Sequence, residues 1–291
     1  MSRVVPFQNV GWQAAPLPDV SSRAHASLES GDVVFCPGLG FTVEAWERSL
    51  FTTAILGRSK NTSYDPASDR LGGTSVAGDD RETLRALIQR FSDASAALVD
   101  RLLPSYCGAV TRGRASFRPA EVAGRATTWR KDDTRLHVDS FPATPSGGRR
   151  ILRLFTNVNP RGQPRSWRIG DDFEAVARRY AGRLRLPLPG AGVVLALVRA
   201  TKTRRSAYDA LMLQLHELMK DDQDFQTGSP QTAVDFPAGS TWIAFTDQVS
   251  HAATAGQYQL EQTFLLPIAA MKDPDRSPLR VLERLKGRTL T

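Results

Sequence analysis

The hydrophobic positions of this chain change their period part-way along it. Leu84, Leu87, Ile88, Phe91, Leu98 and Leu102 recur at helical intervals, a spacing that gathers side chains on one helix face. Asp79-Asp-Arg-Glu82 precedes them with capping-box spacing, and Pro104 ends the helix. Upstream, the first 30 residues are polar and proline-spotted and predict an extended arm. Gly31-Asp-Val-Val-Phe-Cys-Pro-Gly38 is an apolar run closed by turn residues and predicts a strand. From about residue 126, short runs rich in branched and aromatic residues alternate with Gly/Pro turns. They predict strands at 126–130, 134–138, 150–158, 192–199, 231–236, 240–246 and 258–266. A helix interrupts them, with Tyr208, Leu211, Met212, Leu215, Leu218 and Met219 on one face. A shorter one is expected around Phe173, Val176, Ala177 and Tyr180. Many short strands with glycine-rich corners, braced by a long helix, predict a mainly β jelly roll.

Composition narrows the setting. With 291 residues and 41% hydrophobic positions, the chain can bury a sizeable core. Its formal charge of +8 favours anionic partners. The basic residues do not alternate with aromatics as a nucleic-acid stacking groove requires, so no nucleic acid is expected. Cys36 and Cys107 make neither a disulfide framework nor a zinc knuckle. The start lacks a signal-peptide core, and the longest apolar stretch, 190–198, is too short to span a membrane. A reduced, cytoplasmic protein is expected.

Candidate chemistry rests on four histidines: His25, His137, His216 and His251. Leu136-His137-Val138-Asp139 places an imidazole and a carboxylate two residues apart, which in a strand brings them to one face. His251 follows the apolar run Thr241–Phe245 and precedes another strand, so it can reach the same point. Two histidines and one carboxylate form the facial set of non-heme iron oxygenases. The triplet alone is a weak signal, since a surface histidine at a strand end would look the same. His216 lies beside Glu217 in the charged sector of its helix and is expected in solvent. His25 is expected to be idle in the arm. Asp247 is expected either to orient a ligand imidazole or to cap a loop.

Longer segments carry more information. Arg135-Leu-His-Val-Asp-Ser-Phe-Pro142, Leu154-Phe-Thr-Asn-Val-Asn-Pro160 and Arg165-Ser-Trp-Arg-Ile-Gly170 resemble the Kdo hydroxylase family. So do Phe236 to His251 and Leu260-Glu-Gln-Thr-Phe-Leu-Leu-Pro267, and the similarity extends to Gly31–Trp46. The resemblance implies a dioxygenase dependent on Fe(II), 2-oxoglutarate and O2. It implies hydroxylation at C3 of Kdo (3-deoxy-D-manno-octulosonic acid), the acidic sugar joined to lipid A in the lipopolysaccharide inner core. It also implies a cupin-like double-stranded β-helix. A single catalytic domain over 1–291 is expected, with an arm, strand and bracing helix in 1–125, the core in 126–267 and a basic tail or helix in 268–291.

A 2-oxoglutarate enzyme needs a cation for the distal carboxylate, and residues 252–271 contain no Lys or Arg. Arg153 and Asn157, on one face of the strand at 150–158, are the candidates, with an internal Asp or Glu partner as the competing use of Arg153. Arg130, Arg135, Lys202, Arg204 and Arg205 are candidates to bind the acidic substrate, a Kdo-containing lipid A or its precursor. The segment 277–287 can form a basic helix with Leu279, Leu282 and Leu285 on one side. It either docks on the core or touches the anionic inner membrane. Two other functions fit the same residues: an iron oxygenase acting on another small molecule or a protein side chain, and a non-catalytic basic jelly roll that holds anionic glycan.

Overall fold

Alternation along the central strands decides the layout. In β6 (Arg150–Asn157), Leu152 and Leu154 turn to one side, while Arg153 and Phe155 turn to the other, and every residue is buried. A strand covered on both faces needs a layer on each. The structure, a computed structural model, supplies both layers and describes residues 3–188, 190, 192, 196–197 and 201–291.

The described strands in chain order are β1 (Val4–Pro6), β2 (Val33–Cys36), β3 (Thr62–Asp65), β4 (Arg70–Gly72), β5 (Thr111–Arg118), β6, β7 (Arg165–Ile169), β8 (Thr232–Phe236), β9 (Thr241–Phe245), β10 (His251–Ala255) and β11 (Gln259–Leu266). Eight of them form one sheet in the order β1-β2-β9-β6-β11-β5-β3-β4, and three form a second in the order β10-β7-β8. Apart from the parallel β1–β2 pair, every pairing is antiparallel. The result is a mainly β jelly roll.

Helices cover the outer face of the large sheet. In α1 (Pro18–Glu29) and α2 (Gly78–Leu102), Leu28, Leu84, Leu87, Ile88 and Phe91 pack with Leu152, Leu154, Ile243, Phe245 and Phe264. The inner face meets the small sheet through aromatic rings. Trp242 stacks on Phe236 at 4.1 Å, and Trp167 meets Phe155 edge-on at 5.1 Å. Such pairs add directional preference to the area they bury. A third cluster joins α3 (Phe173–Tyr180), α4 (Ala207–Asp221), α5 (Gln223–Gly228) and α6 (Pro278–Lys286) to Leu136 and Val138.

Several expectations are corrected. Residues 18–29 form a helix and not an arm, because Ala24, His25 and Leu28 share its buried face. His25 is therefore enclosed, with Ser105 Oγ 3.0 Å from its Nε2 and its ring against Tyr106. No strand forms at 126–130, where Trp129–Lys131 is a 3-10 turn. The stretch 134–138 contributes only a single bridge, His137 with His251. Strands β3, β4, β5, β7 and β10 were not predicted from periodicity, since each is short, polar or arginine-rich. The strand expected at 192–199 falls largely outside the described residues. In α6, Leu279 and Leu282 are buried in the core, so the helix docks by its apolar side.

Candidate metal centre

The segment 136–139 is extended without belonging to a sheet. Leu136 and Val138 enter the helical cluster, so His137 and Asp139 turn the opposite way. His137 and His251 exchange backbone hydrogen bonds of 2.9 Å, and Asp139 N–H donates to Thr246 O at 2.7 Å. These bonds bring together three residues spread over 114 positions. The donor atoms of His137, Asp139 and His251 all lie within 4.8 Å of one another, and all three residues are buried.

Each imidazole is held by a backbone carbonyl two residues before it. His137 Nδ1 donates to Arg135 O at 2.7 Å, and His251 Nδ1 donates to Val249 O at 2.8 Å. A carbonyl only accepts, so the proton sits on Nδ1 and the Nε2 lone pair is left for a metal. Trp167 stacks on His251 at 4.9 Å and limits its rotation. Burial pushes His137 down to about 3 and holds His251 below its ordinary value. Burial alone would raise the Asp139 carboxyl, but the Arg153 guanidinium, 2.9 Å away, holds it well below the usual range. At neutral pH the centre offers two neutral imidazoles and one carboxylate, the protonation states a metal requires. This donor set suits one face of an octahedral ferrous ion.

The three ligands open on a cavity of about 670 Å³. Its cations are mostly paired. Arg153 bridges Asp139 at 2.9 Å and Glu261 at 2.7 Å. Arg118 holds Glu261 at 2.8 Å, and Lys60 holds Asp133 at 2.6 Å. Arg165 differs. It is buried, its Nη1 donates to Gly256 O at 2.6 Å, its Nε has no partner, and none of the described carboxylates pairs with it. Burial, with Arg118 adding repulsion, pushes its guanidinium down to about 10. Gly256 permits this approach: its φ is +101°, and a Cβ there would sit 2.6 Å from Pro164 O. The buried indole N–H of Trp167, on the same wall, also lacks a partner.

The family model of 3-deoxy-D-manno-oct-2-ulosonic acid (Kdo) hydroxylases matches residues 11–289. The chain belongs to the Kdo hydroxylase family. The crystal structure of the Kdo hydroxylase KdoO, a non-heme Fe(II) α-ketoglutarate dependent dioxygenase in complex with α-ketoglutarate and Fe(III), is 44% identical. That match covers 100% of this chain and 98% of that one, with a TM-score of 0.96. The apo form and the cobalt(II) complex of KdoO each match at 45% identity and TM-score 0.96, covering 99% of this chain and 97% of theirs. Among proteins with curated descriptions, none matches.

Within this Kdo hydroxylase fold the remaining candidates separate. Arg153 lines the cavity but already has two carboxylate partners. Asn157 lies off the cavity wall. Its Nδ2 donates to Gln163 O and Phe236 O, and its Oδ1 accepts from Asn159 N–H, so it braces a loop. Arg130 and Lys202 line the cavity, Arg130 paired with Glu217 at 3.3 Å. Arg135 points away, binding Asp132 and Lys220 O. Arg205 donates to Pro142 O, and Arg204 is exposed; neither is on the cavity wall. Asp247 touches neither imidazole and binds Arg150 at 2.8 Å.

His216 is a correction of a different kind. It faces the cavity, donates Nδ1–H to Val138 O at 2.8 Å and meets His137 edge-on at 5.1 Å. A helix seen in isolation shows which side is charged, and a charged side looks the same against solvent or against a polar cavity. Periodicity also missed Arg118, Arg165, Trp167, Lys220 and Glu261. Glu261 could have been found, because it alternates with buried Leu260 and Gln262 on β11.

Proposed function

We propose that this chain is a dioxygenase dependent on ferrous iron and 2-oxoglutarate that hydroxylates C3 of the Kdo unit on lipid A or its precursor. The observation that carries this reading is the convergence of His137, Asp139 and His251 on a cavity that also holds the unpaired Arg165. Ferrous iron with 2-oxoglutarate bound supplies dioxygen activation coupled to decarboxylation of the keto acid to succinate. His137, Asp139 and His251 would hold the metal.

The distal carboxylate of 2-oxoglutarate goes to Arg165, because Arg118 and Arg153 are already neutralised by Glu261 and Asp139. The unpartnered Nε of Arg153 and the Trp167 indole N–H provide further donors on that wall. The fork of a guanidinium matches a carboxylate in two parallel hydrogen bonds. Asp139, Arg153 and Arg165 are buried, and a buried setting strengthens each of these charges.

No described helix is long and apolar enough to cross a membrane. Contact with the anionic inner-membrane face would rest on charge alone, since α6 turns Leu279 and Leu282 inward and leaves Arg280 and Arg284 half in solvent.

Anaerobic addition of Fe(II) and 2-oxoglutarate, followed by the metal-to-ligand charge-transfer band, tests the centre. Admission of air with Kdo-bearing lipid A should then release succinate, and a panel of amino acids should not. A missing band, or succinate release indifferent to Kdo, refutes the reading.

A further inference from the structure

Helix α4 carries a second buried cation that none of the described carboxylates contacts directly, although the charges of Asp133 and Asp139 reach it. Lys220 lies four residues after His216, one helical turn along the same face. Both side chains line the cavity beside His137 and Asp139. Lys220 is 2% exposed. Its Nζ donates to Arg130 O at 3.2 Å, and none of the described carboxylates forms an ion pair with it. An ammonium has three N–H donors, so one carbonyl does not satisfy it. Burial pushes its pKa down, and its field in turn reaches His137, His216 and His251.

The other buried cations of the cavity show what is unusual. Arg118 and Arg153 each touch a carboxylate. Arg165 and Lys220 do not, and they come from different elements, β7 and α4. Two anions are expected in this cavity under the function proposed above, on which this step rests. One is the distal carboxylate of the cosubstrate, and the other is the carboxylate of the sugar acid.

The chemistry of the sugar says where the second must lie. In a 2-ulosonic acid, the carboxyl carbon C1 is two bonds from C3, so the two atoms are separated by only about 2.5 Å. A cation that grips the carboxylate while C3 reacts must stand in the inner cavity. Arg204 is off the cavity wall and Lys202 is exposed, whereas buried Lys220 lines the cavity together with His137 and His216.

We propose that Lys220 is the residue that binds the C1 carboxylate of the Kdo unit, and that it thereby sets which carbon faces the metal. A buried ammonium on a helix held by Arg135 and Arg130 is a point charge with little freedom, suited to selecting an acid over its neutral analogue.

The test uses the full chain loaded anaerobically with Fe(II) and 2-oxoglutarate. Kdo-bearing lipid A in detergent micelles, and the same lipid with the Kdo carboxyl converted to the primary amide, are titrated while the charge-transfer band is followed. The wild type should bind the acid at least about tenfold more tightly than the amide, the value of one charge-assisted contact. In Lys220→Met that preference should fall to about one, with 2-oxoglutarate affinity within about twofold of wild type. Lys220→Gln, which keeps a donor for Arg130 O, serves if the methionine variant does not fold. An acid preference that persists in a folded variant, or that is missing in the wild type, overturns the assignment. So does a large loss of 2-oxoglutarate affinity, which would place Lys220 on the cosubstrate. If neither lipid perturbs the wild-type band and neither releases succinate in air, the sugar substrate itself is wrong and the lysine assignment falls with it. Succinate release with an unchanged acid preference sinks the lysine alone.

Discussion

His137 and His251 lie directly opposite each other on a one-rung antiparallel bridge, exchanging two backbone hydrogen bonds of 2.9 Å. Residues paired in this way project their side chains to the same face. The bridge therefore ties His137, which lies outside any regular strand, to the first residue of β10 and aims two imidazoles, 4.7 Å apart between ring centres, at one point. Replacing either histidine with alanine should abolish the anaerobic charge-transfer band and lower succinate release by at least about a thousandfold. A variant lacking either imidazole that still binds Fe(II) with wild-type affinity would remove that residue from the ligand set.

Arg165 and Arg153 should separate by what they lose. Arg165→Ala should raise the apparent Michaelis constant for 2-oxoglutarate at least about tenfold, roughly 1.4 kcal/mol, and leave Fe(II) affinity within about threefold. Arg153→Ala should weaken Fe(II) binding as well, because Asp139 loses the hydrogen bond from Arg153 Nη1 that orients its carboxylate. An unchanged 2-oxoglutarate constant in Arg165→Ala would falsify its role as anchor.

Stability should depend strongly on Arg150. Arg150 and Asp247 are buried at 0% and 1% side-chain exposure and joined at 2.8 Å, with Gln248 accepting a further bond. Arg150→Met leaves a desolvated carboxylate beside the His251 loop, at a cost of about 3–5 kcal/mol. Exchanging both partners for apolar residues should recover most of that loss. Urea midpoints of the two variants decide it: equal destabilisation by single and double exchange would contradict this account.

Acid sensitivity has one identifiable source in His25. Burial, with Lys272 adding repulsion, pushes its pKa down to about 4 in the folded state, whereas an exposed histidine titrates near 6.5. Between those values the unfolded chain binds the extra proton, so stability is full above about 6.5 and declines as pH falls toward 4. His25→Gln cannot titrate. Its destabilisation relative to wild type should therefore shrink by about 2–3 kcal/mol between pH 7 and pH 4. Urea unfolding at the two pH values measures this, and a pH-independent difference would exclude the mechanism.

How far residues could be placed from sequence depended on whether their periodicity was local. Helices α2, α3 and α4 repeat over three or more turns or carry a capping residue, and periodicity located them within one or two residues. Strands β6, β8, β9 and β11 are runs of apolar or alternating residues and were found likewise. Strand β5 was missed because Arg112 and Arg114 interrupt its pattern; their charges pair with Asp93 and Asp65. Helix α1 was missed because prolines and serines dominate its start, and its burial comes from packing with β2 and with Tyr106, in the turn after α2.

The chain alone determined which atoms are available to a metal. Two imidazoles and a carboxylate, two of them at i and i+2 in an extended stretch, already define a donor set, because ligand chemistry belongs to residue types. Only the tertiary structure decided which cations keep a free charge. That depends on distances between segments far apart in the chain: Glu261 reaching Arg118 and Arg153, Asp139 reaching Arg153, and none of the described carboxylates reaching Arg165 or Lys220. Charge compensation is a property of space, and no local pattern encodes it.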